Sequence, residues 1–165
     1  MLPEQQSRMT NINGGIKMGY HTFINYGYGI NLHGLTITKD VKKIEKFLSL
    51  APEYQKTVHE HFKDIGITEP IFDDYADVDN DFPALGFANV IKGVLEEISG
   101  LFITACENFD DHVFVMYQPD YPWNMTEAEK ALSQDDIDNL FLKAKIVIED
   151  LTEEDIDFVE SENGG

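Results

Sequence analysis

The chain of 165 residues has few basic side chains and a single cysteine. Lys and Arg number 12 against 31 Asp and Glu, so the formal net charge at pH 7 is -19. Because Cys106 has no second cysteine as a partner, an internal disulfide is excluded and a reducing compartment fits better than secretion. No apolar run approaches the roughly 20 residues of a membrane span, and MLPEQQSRM lacks the apolar core of a signal peptide. These absences predict a cytoplasmic protein.

The sequence also lacks the local signatures of common enzyme classes. It contains no G-x-S-x-G, P-loop or G-x-G-x-x-G motif. Cys106 has no basic neighbour to stabilise a thiolate, which favours a structural thiol over a nucleophile. His21, His33 and His112 are scattered, and an enzyme stays an alternative only if the fold gathers them with carboxylates in one pocket. We therefore predict a protein without enzymatic activity and without a cofactor.

Two segments resemble metal sites but lack essential ligands. Asp77 begins a run with acids at alternate positions, as in a calcium loop, but position six is Phe82 and position twelve is Ala88. His59 and His61 are two residues apart, and on a helix this spacing points their side chains in different directions. We expect an acidic turn and surface histidines here, and no dedicated metal site.

The apolar residues are concentrated in one central segment, residues 81–123. Asp81 and Pro83 suit the start of a helix, and Gly100 suits its end. Between them, apolar residues recur at helical spacing and predict a deeply packed helix; they are Leu85, Phe87, Val90, Ile91, Val94, Leu95 and Ile98. The runs LFITAC and VFVMY then predict a hairpin across ENFDDH, and the prolines of QPDYPW end it at a corner.

The flanking segments complete the predicted fold. YHTFINYGYGINL reads as a first strand in which Gly27 and Gly29 permit a bulge or a close backbone approach. Helices are predicted after Thr38, after Ala51 and after Ser133, and residues 69–82 are predicted to form an acidic loop. The expected fold class is α+β: a small antiparallel sheet, made of the N-terminal strand and the central hairpin, packed by about four helices.

One domain is expected, with a tail at each end. Residues 1–17 are polar and without periodicity, which predicts a flexible N-terminal tail. The codons for residues 13–17 can form a purine-rich stretch like a bacterial ribosome-binding site, so Met18 is a candidate initiator and the tail a candidate non-native extension. Residues 18–158 are predicted to form a single α+β domain, and residues 159–165 a disordered acidic tail.

The acidic charge is the strongest functional signal in the sequence. With 42% hydrophobic residues the chain has a core to fold around, so it is not a disordered polyanion. Binding to nucleic acid needs basic patches, and only Lys39, Lys42, Lys43 and Lys46 form one. A folded, carboxylate-rich surface instead suits a basic nucleic-acid-binding protein, either as a partner or as a mimic of its ligand. The alternative is that acidity serves solubility, although -19 exceeds the magnitude of about 2–8 that suffices for a small domain.

The candidate partner-binding residues lie in two acidic segments and one aromatic corner. The acids are Asp73, Asp74, Asp77, Asp79, Glu149, Asp150, Glu153, Glu154, Asp155, Asp157 and Glu160. At the corner, Tyr117, Tyr121 and Trp123 either close the core, which we favour, or anchor a partner. In the second case, Tyr121 and Trp123 join the partner-binding set.

The order of these segments resembles a known class of proteins. A Tyr/Gly strand, the stretch LGFANVIKGVLEEISGLFITACEN, the PDYPW corner and an acidic C-terminal helix are similar to small acidic proteins of phages and mobile elements of Gram-positive bacteria, among them anti-CRISPR inhibitors. The resemblance implies a non-enzymatic inhibitor in the bacterial cytoplasm that binds a basic surface of a nucleic-acid-handling host-defence protein by nucleic-acid mimicry. The alternative is an immunity-type or regulatory partner-binding protein. No site residue follows from the resemblance, because it has no diagnostic motif.

Overall fold

The protein is an α+β fold in which helices pack on a four-stranded antiparallel sheet. The structure, a computed structural model, describes residues 22–32, 37–78, 86–107, 113–119 and 123–164. In these ranges the strands are β1 (Thr22–Leu32), β2 (Thr104–Glu107), β3 (Val113–Tyr117) and β4 (Asp157–Gly164). The helices are α1 (Val41–Leu48), α2 (Pro52–Asp64), α3 (Phe72–Ala76), α4 (Ala88–Ser99), α5 (Glu127–Lys130), α6 (Gln134–Leu140) and α7 (Leu142–Ile148). The predicted fold class is confirmed.

The strand order is β2-β3-β1-β4. The predicted hairpin pairs Thr104 with Met116 and Glu107 with Val113, and β3 in turn pairs with β1. Tyr28 lies in the middle of the sheet, opposite Tyr117 on one side and Phe158 on the other. Directly opposite residues share a face of an antiparallel sheet, so Tyr28 and its neighbours form one aromatic row.

Glycines allow β1 to occupy this central position. A Cβ atom on Gly29 would overlap the backbone carbonyl of Val115, and one on Gly27 would overlap that of Tyr117. The side chain of Met116 also lies against Gly27, and Met116 is fully buried. The close backbone approach predicted for the two glycines is therefore confirmed.

Helix α4 supplies the centre of the core, as its apolar spacing predicts. Val90, Ile91, Val94 and Leu95 are fully buried, and Gly100 ends the helix in the left-handed region at φ 70°. Its start differs from the expectation, because α4 begins at Ala88. The predicted starting residues, Asp81 and Pro83, lie outside the described residues.

Two short helices were not predicted. Residues 69–82 were expected to form a loop, but Phe72–Ala76 form α3, in which Tyr75 is 1% exposed. Helix α5 begins at a reciprocal cap in which Thr126 accepts from the amide of Glu129 and the Glu129 carboxylate accepts from the amide of Thr126. Both helices are shorter than two turns, so hydrophobic periodicity gives little signal for them.

The predicted C-terminal helix begins where expected but is divided in two. Ser133 accepts from the amide of Asp136 and starts α6. The backbone leaves helical geometry at Phe141, which has φ -98° and ψ 0°, and α7 follows. Phe141 is fully buried, and its ring centre lies 5.2 Å from that of Tyr28. The break thus coincides with the contact that docks this segment on β1.

The C-terminal end of the chain corrects the domain prediction. Residues 159–165 were expected to be disordered, but Asp157–Gly164 form β4 and pair along their whole length with β1. The sequence DFVESENG has little apolar content, and its order comes from backbone pairing with a neighbouring strand, which composition does not report. The predicted N-terminal tail, residues 1–17, lies outside the described residues.

Candidate partner-binding surface

Most of the predicted C-terminal acids lie on one turn between α7 and β4, which we call the acidic turn (residues 149–155). Backbone bonding joins this turn to the segment before α1, where the Thr38 amide donates to the Leu151 carbonyl at 2.7 Å. An open groove of about 520 Å³ lies at this junction. Glu149, Asp150, Glu153 and Asp155 line it, together with Lys43. The structure therefore brings four of the predicted site residues together.

Buried neighbours hold the acidic turn in place. Ile148, Leu151 and Ile156 are at most 1% exposed, while Glu149, Glu153 and Asp155 between them are exposed. Apolar burial stabilises a fixed path of the backbone here, at roughly 1.5–3 kcal/mol for each large apolar side chain. The carboxylates are therefore displayed from an ordered segment.

The second acidic segment adjoins the same part of the fold. Asp73 and Asp77 are exposed at α3, whereas Asp74 accepts from the Ile71 amide at 2.8 Å and so caps its own helix. Lys39 Nζ lies 5.8 Å from the ring centre of Phe72, the residue before Asp73. Because Lys39 follows Thr38, both acidic segments contact residues 38–39. Asp79 lies outside the described residues.

The basic cluster of α1 lies beside the acidic turn. Lys46 Nζ is 2.8 Å from Asp150 Oδ2, and its hydrogen bond and charge lower the pKa of Asp150. Lys43 lines the groove, and its charge also lowers the pKa of Asp150. The groove is therefore acidic but partly neutralised, a feature that the linear sequence does not reveal because the two segments are far apart in the chain.

The remaining predicted site residues are more dispersed. Asp157 and Glu160 are exposed on β4, and Glu154 is partly buried. At the aromatic corner, Tyr117 is 3% exposed and belongs to the core, as expected. Trp123 is 76% exposed, so the preferred core role is wrong for this residue. Tyr121 lies outside the described residues.

Sequence reasoning missed a polar cluster around Glu45. Its carboxylate accepts from the Tyr75 hydroxyl at 2.6 Å and from Gln55 Nε2 at 3.0 Å, and His59 Nε2 lies 3.0 Å from both of its oxygens. Burial acts to raise the pKa of Glu45, but the bonds from Tyr75, His59 and Gln55 lower it overall. No local motif signals this cluster, because its members lie on three different helices.

The chemistry of the Glu45 cluster fits a structural role. A carboxylate that orients an imidazole is part of a catalytic triad, but such a triad also needs a nucleophile on the other ring nitrogen. Tyr75 instead donates to Glu45 itself, and burial, followed by this bond, raises its pKa. Tyr75 stays protonated at neutral pH, and the cluster joins α1, α2 and α3.

A second polar cluster joins α6 and α7 to the sheet. Tyr28 donates its hydroxyl to Asp138, and Lys145 Nζ lies 2.7 Å from Asp138 Oδ1 and 3.2 Å from the Tyr28 oxygen. Burial, followed by the bond to Asp138, raises the pKa of Tyr28 to about 12. A tyrosine base would need a pKa near the working pH. This phenol is therefore a buried donor that holds the helices against β1.

Of the other residues considered for catalysis, the structure describes only Cys106. His21, His33 and His112 lie outside the described residues. Burial raises the pKa of the Cys106 thiol, the opposite of the shift that activates a cysteine. Within the described ranges, no group of three or more His, Cys, Asp or Glu side chains is placed to hold a metal ion.

Two further findings bear on the class of protein. In the part of the chain that the structure describes, every helix is too short or too polar to cross a membrane. No protein-family model, no curated protein and no solved structure matches the chain.

Proposed function

We propose that the protein is a non-enzymatic acidic inhibitor that binds a basic surface of a nucleic-acid-handling host-defence protein in the bacterial cytoplasm. The observation that carries this proposal is the acidic turn. Glu149, Glu153 and Asp155 are exposed there between buried apolar residues, around an open groove. Because the backbone that carries these carboxylates is already ordered, they present a pre-organised field to a basic partner. Binding then costs little backbone conformational entropy.

The electrostatics favour a basic protein as partner over nucleic acid or an anionic membrane. The net charge of -19 repels phosphates over the distances at which salt does not screen the interaction. A concave surface with charges of one sign concentrates the field, and such steering raises association rates by roughly 10–10³. Lys43 and Lys46 reduce this field locally, so the proposal does not require every acid of the turn to contact the partner.

The ordered backbone of the acidic turn favours partner binding over a role in solubility alone. Acidic side chains on a disordered tail would keep a protein soluble equally well. Here the acidic turn is tied to residue 38 by a backbone hydrogen bond and is packed through Leu151 and Ile156. A defined arrangement is what recognition of a particular basic surface requires.

The experiment is an affinity capture from a Gram-positive bacterial lysate with identification by mass spectrometry. The test variant is Glu149→Gln/Glu153→Gln/Asp155→Asn. The matched control is Glu60→Gln/Asp64→Asn/Glu69→Gln, which removes the same charge from exposed positions on α2 and the following loop. Washes at about 50 mM and about 500 mM NaCl span the range over which surface charges become screened, and elution with a short DNA duplex tests for a shared surface.

We expect a nucleic-acid-handling protein to be captured by the wild type and by the control. It should be lost with the test variant, with high salt and with competing duplex. Equal loss with both variants would mean that total charge, and not the acidic turn, determines binding. Capture of no such protein would contradict the proposed function.

An immunity-type or regulatory partner-binding protein is the second candidate, and the exposure of Trp123 favours it. This indole is 76% exposed, and Trp is over-represented among residues that dominate interface energies. A partner that survives high salt and the acidic-turn variant but is lost with Trp123→Ala would support this candidate over mimicry.

A further inference from the structure

The outer edge of β4 is a strand edge of unusual length for this fold. Among the described strands, β4 pairs only with β1, and it spans eight residues, whereas the strand at the opposite edge, β2, spans four. Exposed edges attract additional strands, and proteins usually protect them with Pro, with charged side chains (Lys above all) or with a bulge. The sequence DFVESENG contains neither Pro nor Lys, and its charged residues, Asp157, Glu160 and Glu162, are all acidic. The edge therefore has no proline block, and its acids disfavour an added acidic strand more than a basic one.

One hydrogen bond identifies the backbone groups that face outwards. The amide of Phe158 donates to the carboxylate of Asp157 at 2.8 Å, so it is directed away from β1. In an antiparallel ladder, alternate residues direct their N–H and C=O groups to the same side. The backbone groups of Glu160 and Glu162 are thus aimed at the outer side of the sheet. The Asp157 carboxylate covers only the first position of the edge.

The charge of β4 determines which kind of strand can pair with its outer edge. Asp157 and Glu160 are both exposed on β4, and the whole chain carries -19. A second copy of β4 would place acids opposite acids, and like charges across a strand pair are destabilising. Phe158 is 50% exposed and shares a face with Glu160, so an apolar and a basic side chain at alternate positions would complement this edge.

We propose that the outer edge of β4 binds an extended, basic strand of the partner protein, which adds to the sheet next to Glu160 and Glu162. This inference rests on the proposed function and adds to it the element of the partner that docks. Main-chain hydrogen bonds hold the added strand, and a Lys or Arg opposite Glu160 adds a modest preference for a basic strand.

The probe is a fluorescein-labelled peptide of eight residues, built from Val, Lys and Thr so that one face alternates Val and Lys. Its control has equal charge but carries Pro in place of Thr, which removes backbone donors and prevents strand pairing. On the protein side, Glu160→Pro removes an outward amide while leaving the ladder to β1 intact, and Glu160→Gln removes the same charge but keeps the amide. Fluorescence anisotropy measures affinity, and hydrogen exchange measures protection of the amides of residues 160 and 162.

We expect the Pro-containing peptide to bind at least about tenfold more weakly, since it loses two or more hydrogen bonds. The Glu160→Pro variant, which loses one, should bind the strand-forming peptide about fivefold more weakly. Glu160→Gln should weaken binding by no more than about threefold, as an exposed charge contributes little. Amides 160 and 162 should be protected only by the strand-forming peptide. Equal binding of the two peptides to the wild-type protein, or unchanged exchange at 160 and 162, would overturn the inference even if Glu160→Pro fails to fold.

The two proposals fail in different ways. If the lysate target is lost with the acidic-turn variant but retained fully by folded Glu160→Pro, the proposed function stands and strand addition is rejected. If the peptide protects residues 160 and 162 while no nucleic-acid-handling protein is captured, the edge site stands and the proposed function is rejected.

Discussion

Lys46 Nζ lies 2.8 Å from Asp150 Oδ2 and links α1 to the acidic turn across a sequence separation of 104 residues. The two side chains are 61% and 41% exposed, and ion pairs of this exposure contribute at most about 1 kcal/mol to stability. The main consequence of the contact is therefore electrostatic: a lysine of the basic cluster reduces the negative charge beside the groove.

Replacing Lys43 and Lys46 by Met should strengthen binding of a basic ligand, because both reduce the field of the acidic turn. We expect a fluorescein-labelled deca-lysine peptide to bind about two- to fivefold more tightly at low salt and equally at high salt, as measured by anisotropy. The stability should change by less than about 1 kcal/mol. Lys56→Met/Lys63→Met, which removes the same charge from two exposed positions of α2, is the control. An equal gain with that variant would show that only total charge matters.

Replacing Glu45 by Ala should destabilise the fold by about 2–4 kcal/mol. The substitution removes the acceptor of Tyr75, which is 1% exposed, together with the acceptor of Gln55 and the partner of His59. Urea denaturation followed by circular dichroism measures the loss. Addition of Tyr75→Phe should recover part of it, since the double variant no longer buries a hydroxyl without a partner. A loss below about 1 kcal/mol would show that water replaces the carboxylate.

Stability should fall between pH 10 and pH 12 because Tyr28 resists ionisation in the folded state. Its pKa is raised from 10.0 to about 12, so the folded protein retains a proton that the unfolded chain releases. A raised folded-state pKa contributes stability that is complete below pH 10 and is lost as pH rises through about 12. The full difference in pKa corresponds to about 2.7 kcal/mol, and screening by solvent reduces the expected loss from this group to about 2 kcal/mol or less. Urea denaturation across this range should show a shallower fall for Tyr28→Phe, and equal slopes would contradict the assignment.

Gly29→Ala should cost more stability than Gly66→Ala. Gly66 has φ 78° but open space around a new Cβ, so the cost there is backbone strain of about 1 kcal/mol. Gly29 has no such strain, but a Cβ would overlap the Val115 carbonyl, and relief requires movement of β1 away from β3. We expect about 2 kcal/mol or more, measured by thermal or urea unfolding. The reverse order would show that the sheet adjusts easily at this position.

Local sequence patterns predicted much of the fold. The apolar spacing of α4, the alternating strands β1 and β3, the Gly100 stop and the Ser133 cap all depend on residues that are neighbours in the chain. Elements that depend on contacts between distant segments of the chain were missed. Short helix α3 is stabilised by burial of Tyr75 against Glu45, 30 residues away, and β4 by pairing with β1, more than a hundred residues before it.

The candidate site, like the fold, was only partly predictable from the sequence. The acids could be named from the sequence, because charge is a property of composition. Their grouping could not, since it depends on the bond from Thr38 to Leu151 and on the burial of Ile156. The Glu45 cluster was missed, and for Trp123 the core was preferred over the exposed alternative, for the same reason: exposure and side-chain contact are consequences of packing.

Hydrophobic periodicity and net charge were enough to predict the α+β class, the core helix and a strongly acidic surface. Three other features became visible only in the folded chain: the ordered acidic turn, the position of Lys43 and Lys46 beside it, and the long open edge that β4 forms among the described strands. Each of them depends on contacts between segments that are distant in the chain, and such contacts leave no periodic signal in the sequence.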